Sequence, residues 1–331
     1  MKKLSLEVRN LSKSFGKVKA VQNLSFTVAP GRVTGFLGPN GAGKTTTLRI
    51  LLDLVRADQG SALFGGKEYT ELTHPMVTVG ALLDSGSVHP GRTGRDHMRV
   101  ACAEGGLSPT RIAPIIKLVG LTGAADRRTG GYSLGMLQRL VLATAMLGDP
   151  SVLILDEPAN GLDPEGIRWL RSLLRGFAKQ GRTVFLSSHL LGEIQQMAHD
   201  VVIIDQGKLV GAGSVEDLEK RQGVSVMVSS SYPDALESAL RAARFTFTTS
   251  TPDPDAAPLP GAPPVFEVSG VGADGVGHAA LAAGVPLTHL SEHTSGLEDL
   301  FMSLVGGNQQ RGLTLVPVVD GVDGDAAPGQ L

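Results

Sequence analysis

The 331-residue chain has one cysteine, Cys102. That excludes an internal disulfide and leaves the redox compartment open, with a reduced cytosol compatible. An excess of one charge is missing as well: 30 Lys and Arg stand against 32 Asp and Glu, a formal net charge of −2. This balance gives no electrostatic case for nucleic acid or for an anionic membrane surface. No apolar run approaches the roughly 18 residues that a membrane-spanning helix needs. The opening MKKLSLEVRN has a basic pair, but Glu7 and Arg9 interrupt any apolar core, so it does not read as a secretory signal. These absences predict a chain soluble by itself, with any membrane role supplied through a partner. Its length predicts two unequal domains rather than one.

What is present starts with alternation. Residues 4–28 give short alternating runs broken at Asn10 and Gly16, which predict antiparallel strands. Val33 to Leu37 is an apolar run that feeds a glycine-rich turn and then KTTTLRILLDLV, where Leu48, Leu51, Leu52 and Val55 recur at helical spacing. Strand, glycine turn and helix together open a nucleotide-binding α/β unit. From about residue 85 the texture changes to helix-like segments such as IIKLVGL between Gly, Pro and Thr clusters, predicting a helical subdomain over about 85–150. The α/β rhythm returns with VLIL at 152–155. A helix then starts at Pro164 with Asp163 as N-cap, an apolar stripe of Ile167, Leu170, Leu173, Leu174 and Phe177, and a stop at Gly181. Strands TVFLS and VVIID follow, and Ser214-Val215-Glu216-Asp217 has capping-box spacing for a last short helix. These elements predict a first domain over residues 1–221 and a small accessory domain over 222–305. Within the latter, PDPDAAPLPGAPP at 252–264 reads as a loop and LEDLFMSLV at 297–305 as a closing helix; residues 306–331 read as a disordered tail.

The chemistry sits in three short stretches. Gly38, Pro39, Asn40, Gly41, Ala42, Gly43, Lys44 and Thr45 match the phosphate-loop pattern G-x-x-x-x-G-K-[ST] in strand–turn–helix context. Glycines let backbone N–H groups turn inward around phosphates, the helix N-terminus adds partial positive charge, Lys44 reaches the β and γ phosphates, and Thr45 ligates Mg²⁺. In VLILDE, Asp156 emerges at the C-terminal end of a buried strand, where open α/β sheets place their ligands. Asp156 is placed to hold Mg²⁺ directly or through water, and Glu157 to polarise an attacking water. A solvated strand end reads the same way alone; the phosphate loop decides for the metal. A third stretch, YSLGMLQR at 132–139, opens an amphipathic helix anchored by Leu137, Leu140, Val141 and Met146. Ser133 offers a hydroxyl and Gly135 a close backbone approach, so this helix start suits a second anion as well as an ordinary serine cap.

The order GPNGAGKTT, YSLGMLQR, VLILDEPANGLDP, LSSH resembles the ATP-binding subunit of ATP-binding-cassette transporters over residues 1 to about 221. The resemblance implies a P-loop cassette of α/β class: a mixed-sheet core, an antiparallel β subdomain and a helical subdomain. It implies ATP and Mg²⁺ as cofactors, with Thr46 continuing the phosphate loop. Such subunits form head-to-tail dimers in which Ser133, Gly135 and their helix start bind the γ-phosphate of the partner's ATP. Phe15 lies where the family stacks an aromatic on adenine, Asp163 in its cross-dimer loop, and His189 at its switch histidine, which contacts the γ-phosphate. Where many relatives carry a glutamine after GALL, this chain has Asp84, implied at the catalytic metal; the competing role is a cap on the turn Asp84-Ser85-Gly86. Asp84, YSLGM and the later GLEDLFMSL resemble the branch exporting antibiotics and other drugs, of the daunorubicin- and bacitracin-resistance type. The implied partners are a second ATP-binding subunit, in a homodimer, and a separate integral membrane permease. The implied location is the inner face of the cell membrane.

Two rival functions fit the chain less well. Ribosome-acting relatives usually carry two cassettes and DNA-repair relatives long coiled coils, whereas this chain has one phosphate loop, no sustained heptads and no basic surplus. A degenerate regulatory module conflicts with the presence of Lys44, Asp156, Glu157 and His189. His289 and His293 stand four apart, as helical zinc ligands can, but their neighbours Ser291, Thr294, Ser295 and Gly296 suggest a loop.

Overall fold

The computed structural model describes residues 3–83, 88–220, 224–250 and 264–294. Asp84, most of the 252–264 loop, the 297–305 segment and residues 306–331 lie outside the described residues. The chain divides into two compact units between Val215 and Glu216.

In the first unit, Leu6–Phe15 (β1) and Val18–Val28 (β2) form an antiparallel hairpin that turns at Gly16, φ 58°. Asn10 does not break β1 as its residue type suggests. It takes a φ of 48° within the strand, and the register with β2 shifts between Val8 and Leu11. Asparagine tolerates this left-handed geometry, and Ser25 Oγ satisfies it locally by accepting Asn10 N–H at 2.8 Å and donating to Asn10 Oδ1 at 3.1 Å. Val33–Leu37 (β3) is buried along its whole length and feeds Lys44–Leu51 (α1). That helix stops before the predicted Val55. Asp53 turns left-handed at φ 54°, and the N–H groups of Leu54 and Val55 bond back to Arg49 O, closing the helix end. Gln59–Phe64 (β4) then pairs with β1, giving a three-stranded sheet in the order β2-β1-β4.

Pro75–Thr78 (α2) leads into Val79–Leu82 (β5), followed by Gly94–Glu104 (α3), Ile112–Leu118 (α4) and Leu134–Ala145 (α5). Val152–Leu155 (β6) has no exposed residue. Pro164–Lys179 (α6) follows, capped by Asp163 and burying Leu170, Leu174 and Phe177. The unit continues through Thr183–Ser188 (β7), Leu191–Met197 (α7), Asp200–Asp205 (β8) and Lys208–Ser214 (β9). The second sheet runs β5-β6-β7-β3-β8-β9, parallel except for β9. Fully buried apolar strands are what a parallel sheet covered on both faces requires. Phe26 of β2, Phe36 of β3 and Phe185 of β7 meet with ring centroids 5.2 to 5.6 Å apart, so the two sheets share one core. Because β7 lies between β6 and β3 and all three point the same way, the turns after Leu37, Leu155 and Ser188 emerge along one edge of the sheet.

The division between units falls at the start of Val215–Lys220 (α8). The second unit runs Val224–Ser229 (β10), Pro233–Ala242 (α9), Thr246–Ser250 (β11), Val265–Ser269 (β12), Ala273–Ala282 (α10) and His289–Thr294 (β13). Its sheet order is β11-β12-β10-β13, with every neighbouring pair antiparallel. This is a split β-α-β arrangement repeated. Val226, Val228, Phe266 and Val268 meet Leu236, Leu240 and Val276 from the helices. His289 and His293 lie on strand β13 rather than in a loop, so four residues separate them by roughly 13 Å along the chain, not by one helical turn.

Candidate active site

The turn after β3 needs glycine at two places. Gly43 has φ 102°, and a Cβ there would stand 2.3 Å from Ala20 O; a Cβ on Gly38 would stand 2.5 Å from Ile204 O. With both side chains absent the loop wraps tightly and starts α1 at Lys44. Lys44 is only 6% exposed. Its Nζ donates to Gly38 O at 2.7 Å and Pro39 O at 3.3 Å, and lies 3.5 Å from Glu157 Oε1. A buried ammonium is held here by carbonyls and one carboxylate at the mouth of a phosphate loop.

Next to it, Thr45 Oγ1 donates to Asp156 Oδ2 at 2.7 Å. Ser187, on β7 and fully buried, donates its hydroxyl to Asp156 Oδ1 at 2.5 Å and accepts Glu157 N–H at 2.9 Å. Glu157 sits at φ 45°, a left-handed conformation that costs a side-chain-bearing residue about 1–2 kcal/mol. Its surroundings hold it there at every polar group. Gln138 Nε2, from α5, donates to Glu157 O at 3.4 Å, and His189 Nδ1 lies 2.9 Å from Glu157 Oε2.

A cavity of about 620 Å³ opens over this group. Pro39, Asn40, Gly41, Gly43, Lys44, Thr45, Thr46 and Glu157 line it, while Ala42 packs into the core instead. The far wall is the β1–β2 hairpin, with Lys17, Lys19 and Gln22, together with Gln206 after β8. Three lysines against one carboxylate give a wall suited to a polyanion. Phe15, 51% exposed, stands at the hairpin tip paired with Val18, which lines the cavity.

The structure thus brings Gly38–Thr46, Asp156, Glu157 and His189 together. Ser133 and Gly135 are not among the residues lining this cavity. Ser133 caps α5 by accepting Met136 N–H at 3.3 Å. The turn before it is anchored by buried Tyr132, whose hydroxyl donates to Ala124 O at 2.6 Å and whose burial pushes the phenol above its ordinary range. A Cβ on Gly135 would come 3.1 Å from Gly161 O, so the YSLG turn packs against the loop that ends in Asp163. Asp163 accepts Gly166 N–H at 2.8 Å as the cap of α6. Ser187 and Gln138 stand inside LSSH and YSLGMLQR, but neither motif by itself assigns them a role at Glu157. Lys17, Lys19 and Gln206 lie outside the motifs, and of these three only the basic residues after Phe15, alternating on the hairpin, carry a signal in the sequence.

A glycine loop between a buried strand and a helix, with strand-end carboxylates beside its lysine and threonine, defines a P-loop nucleotide-binding protein. The sequence model of the ABC transporter family matches residues 21–160, and that of a domain of unknown function (DUF8746) matches residues 224–298. The chain is 35% identical to the lantibiotic transport ATP-binding protein SrtF of Streptococcus pyogenes, over 66% of this chain and 96% of that one. It is 32% identical to the bacitracin transport ATP-binding protein BcrA of Enterococcus faecalis, over 91% of this chain and 96% of that one. Among solved structures, an ATP-binding subunit of an ABC transporter superposes with a TM-score of 0.59 at 25% identity, over 65% of this chain and 92% of the other. The chain belongs to the ATP-binding proteins of the ABC transporter family. It is an ATPase of that cassette type, and no helix among the described residues is long and apolar enough to cross a membrane.

Proposed function

We propose that this chain powers the export of an antibiotic or similar compound, working as an ATP-driven homodimer docked on a separate permease at the cytoplasmic face of a membrane. The observation that carries the reading is the likeness to BcrA. At 310 aligned residues that match necessarily runs beyond the cassette into the second unit. Lys44 and the loop amides grip the β and γ phosphates, and Phe15 stacks on the adenine from the hairpin. Thr45 Oγ1 and Asp156 Oδ2 are neighbouring oxygen donors beside the phosphate cavity, a donor set that fits Mg²⁺. When bound, the ion neutralises phosphate charge. Glu157 orients the attacking water and accepts its proton, and His189 holds the Glu157 carboxylate toward the cavity. Ser133 and Gly135 serve the partner's ATP, and Asp163 meets the partner across the interface.

Expression in an antibiotic-sensitive host, with the native permease supplied, tests this. Resistance to a lantibiotic or to bacitracin should rise, the tagged chain should purify from membranes with an integral protein, and Lys44→Ala should abolish the resistance. Recovery with ribosomes and no membrane partner contradicts the proposal.

A further inference from the structure

Ser187 stands inside the LSSH stretch with no role assigned to it above, yet among the described residues its hydroxyl is the side-chain group that hydrogen-bonds both halves of the Asp156-Glu157 pair. It donates to Asp156 Oδ1 at 2.5 Å and accepts Glu157 N–H at 2.9 Å. The residue has no exposed surface, so its bonds are shielded from solvent. Its neighbour Ser188 makes different bonds, to Glu193 and Leu190, and turns the chain toward α7. Glu157 needs such a hold because φ 45° is not a conformation a glutamate keeps unaided. A relaxed backbone there would swing the carboxylate away from His189 and Lys44. With its N–H fixed by Ser187 and its carbonyl reached by Gln138, the Glu157 backbone is fixed on both sides.

We propose that Ser187 is a positioning residue for hydrolysis: one hydroxyl locks the left-handed turn that aims Glu157 and ties that aim to Asp156. This rests on the reading of Glu157 as the group that orients water. It predicts a split in the kinetics. Ser187→Ala should lower kcat about tenfold, equivalent to about 1.4 kcal/mol of barrier. The KM for ATP and the affinity for a fluorescent ATP analogue should stay within about twofold, because the phosphate loop is untouched. Ser187→Thr, which keeps the hydroxyl, should recover most of the rate; Ser187→Cys, nearly isosteric with a weak donor, should fall between and serves if the alanine variant melts early.

The deciding measurement is a double-mutant cycle with Glu157→Gln. If Ser187 acts through Glu157, adding Ser187→Ala to Glu157→Gln costs no further rate. Unchanged kcat in Ser187→Ala, or losses that add fully, overturns the proposal while leaving the role of Glu157 intact. Near-normal turnover by Glu157→Gln alone overturns the reading of Glu157 and this proposal with it.

Discussion

Lys44 and Glu157 lie 3.5 Å apart, both largely buried, and each limits what the other can do. The ammonium donates to its own loop carbonyls and faces this carboxylate. Lys44→Ala should therefore weaken ATP binding at least about tenfold, as titration with a fluorescent analogue would read, because it removes the loop's one buried cation. His199 gives a second residue-level prediction. Burial holds its pKa below the ordinary histidine value, and its Nδ1 accepts Val33 N–H at 3.0 Å at the start of β3. The native state thus resists a proton that the unfolded chain accepts, so the stabilisation is complete above the unfolded value and is lost as pH falls through the folded one. Melting temperature should drop between about pH 7.5 and pH 5.5, and drop less in His199→Asn, whose amide oxygen accepts without titrating. An equal drop in both proteins removes His199 from the account. Among site residues, Lys44, Thr45, Asp156 and Glu157 were legible because each stands in a contiguous motif. The contacts of Ser187 and Gln138 with Glu157 were not, although both residues stand in quoted motifs, because they lie 30 and 19 positions from Glu157 and meet it only after the sheet and α5 are in place.

At the scale of elements, α5 carries the reading furthest. Its N-terminus, at Ser133 and Gly135, lies outside the cavity its own chain forms. If it serves a second copy, mixing Lys44→Ala with a Gly135→Asp variant assembles dimers with one intact composite site. ATP-driven dimerisation should then reappear above either variant alone. No rescue at any mixing ratio, with both variants folded, contradicts sharing between chains. The periodicity that made α6 readable is equally simple: Asp163, Pro164 and an apolar stripe fixed its start and its buried face. Buried strands such as β6 read as plain apolar runs. Two expectations failed for local backbone reasons. Asn10 and Asp53 both adopt left-handed φ, one as a bulge that leaves β1 continuous, the other as a stop that shortens α1. Neither residue type announces which of the two it will do. Pairing order was not legible at all, since β3 lies between β7 and β8 only because long-range pairing puts it there.

For the whole molecule, the cassette was readable from its motifs, whereas the split β-α-β sheet of the second unit was not. Its strands are short, and a long proline-rich insertion separates β11 from β12 in the sequence. The central claim is that ATP joins two copies and that Glu157 then drives hydrolysis. Size-exclusion chromatography with light scattering on Glu157→Gln, with and without Mg²⁺ and ATP, tests it most directly, alongside phosphate release. The account predicts nucleotide affinity close to wild type, almost no turnover, and a dimer that forms with ATP and persists. A Glu157→Gln protein that hydrolyses ATP near the wild-type rate, or stays monomeric at saturating Mg²⁺ and ATP, would contradict it.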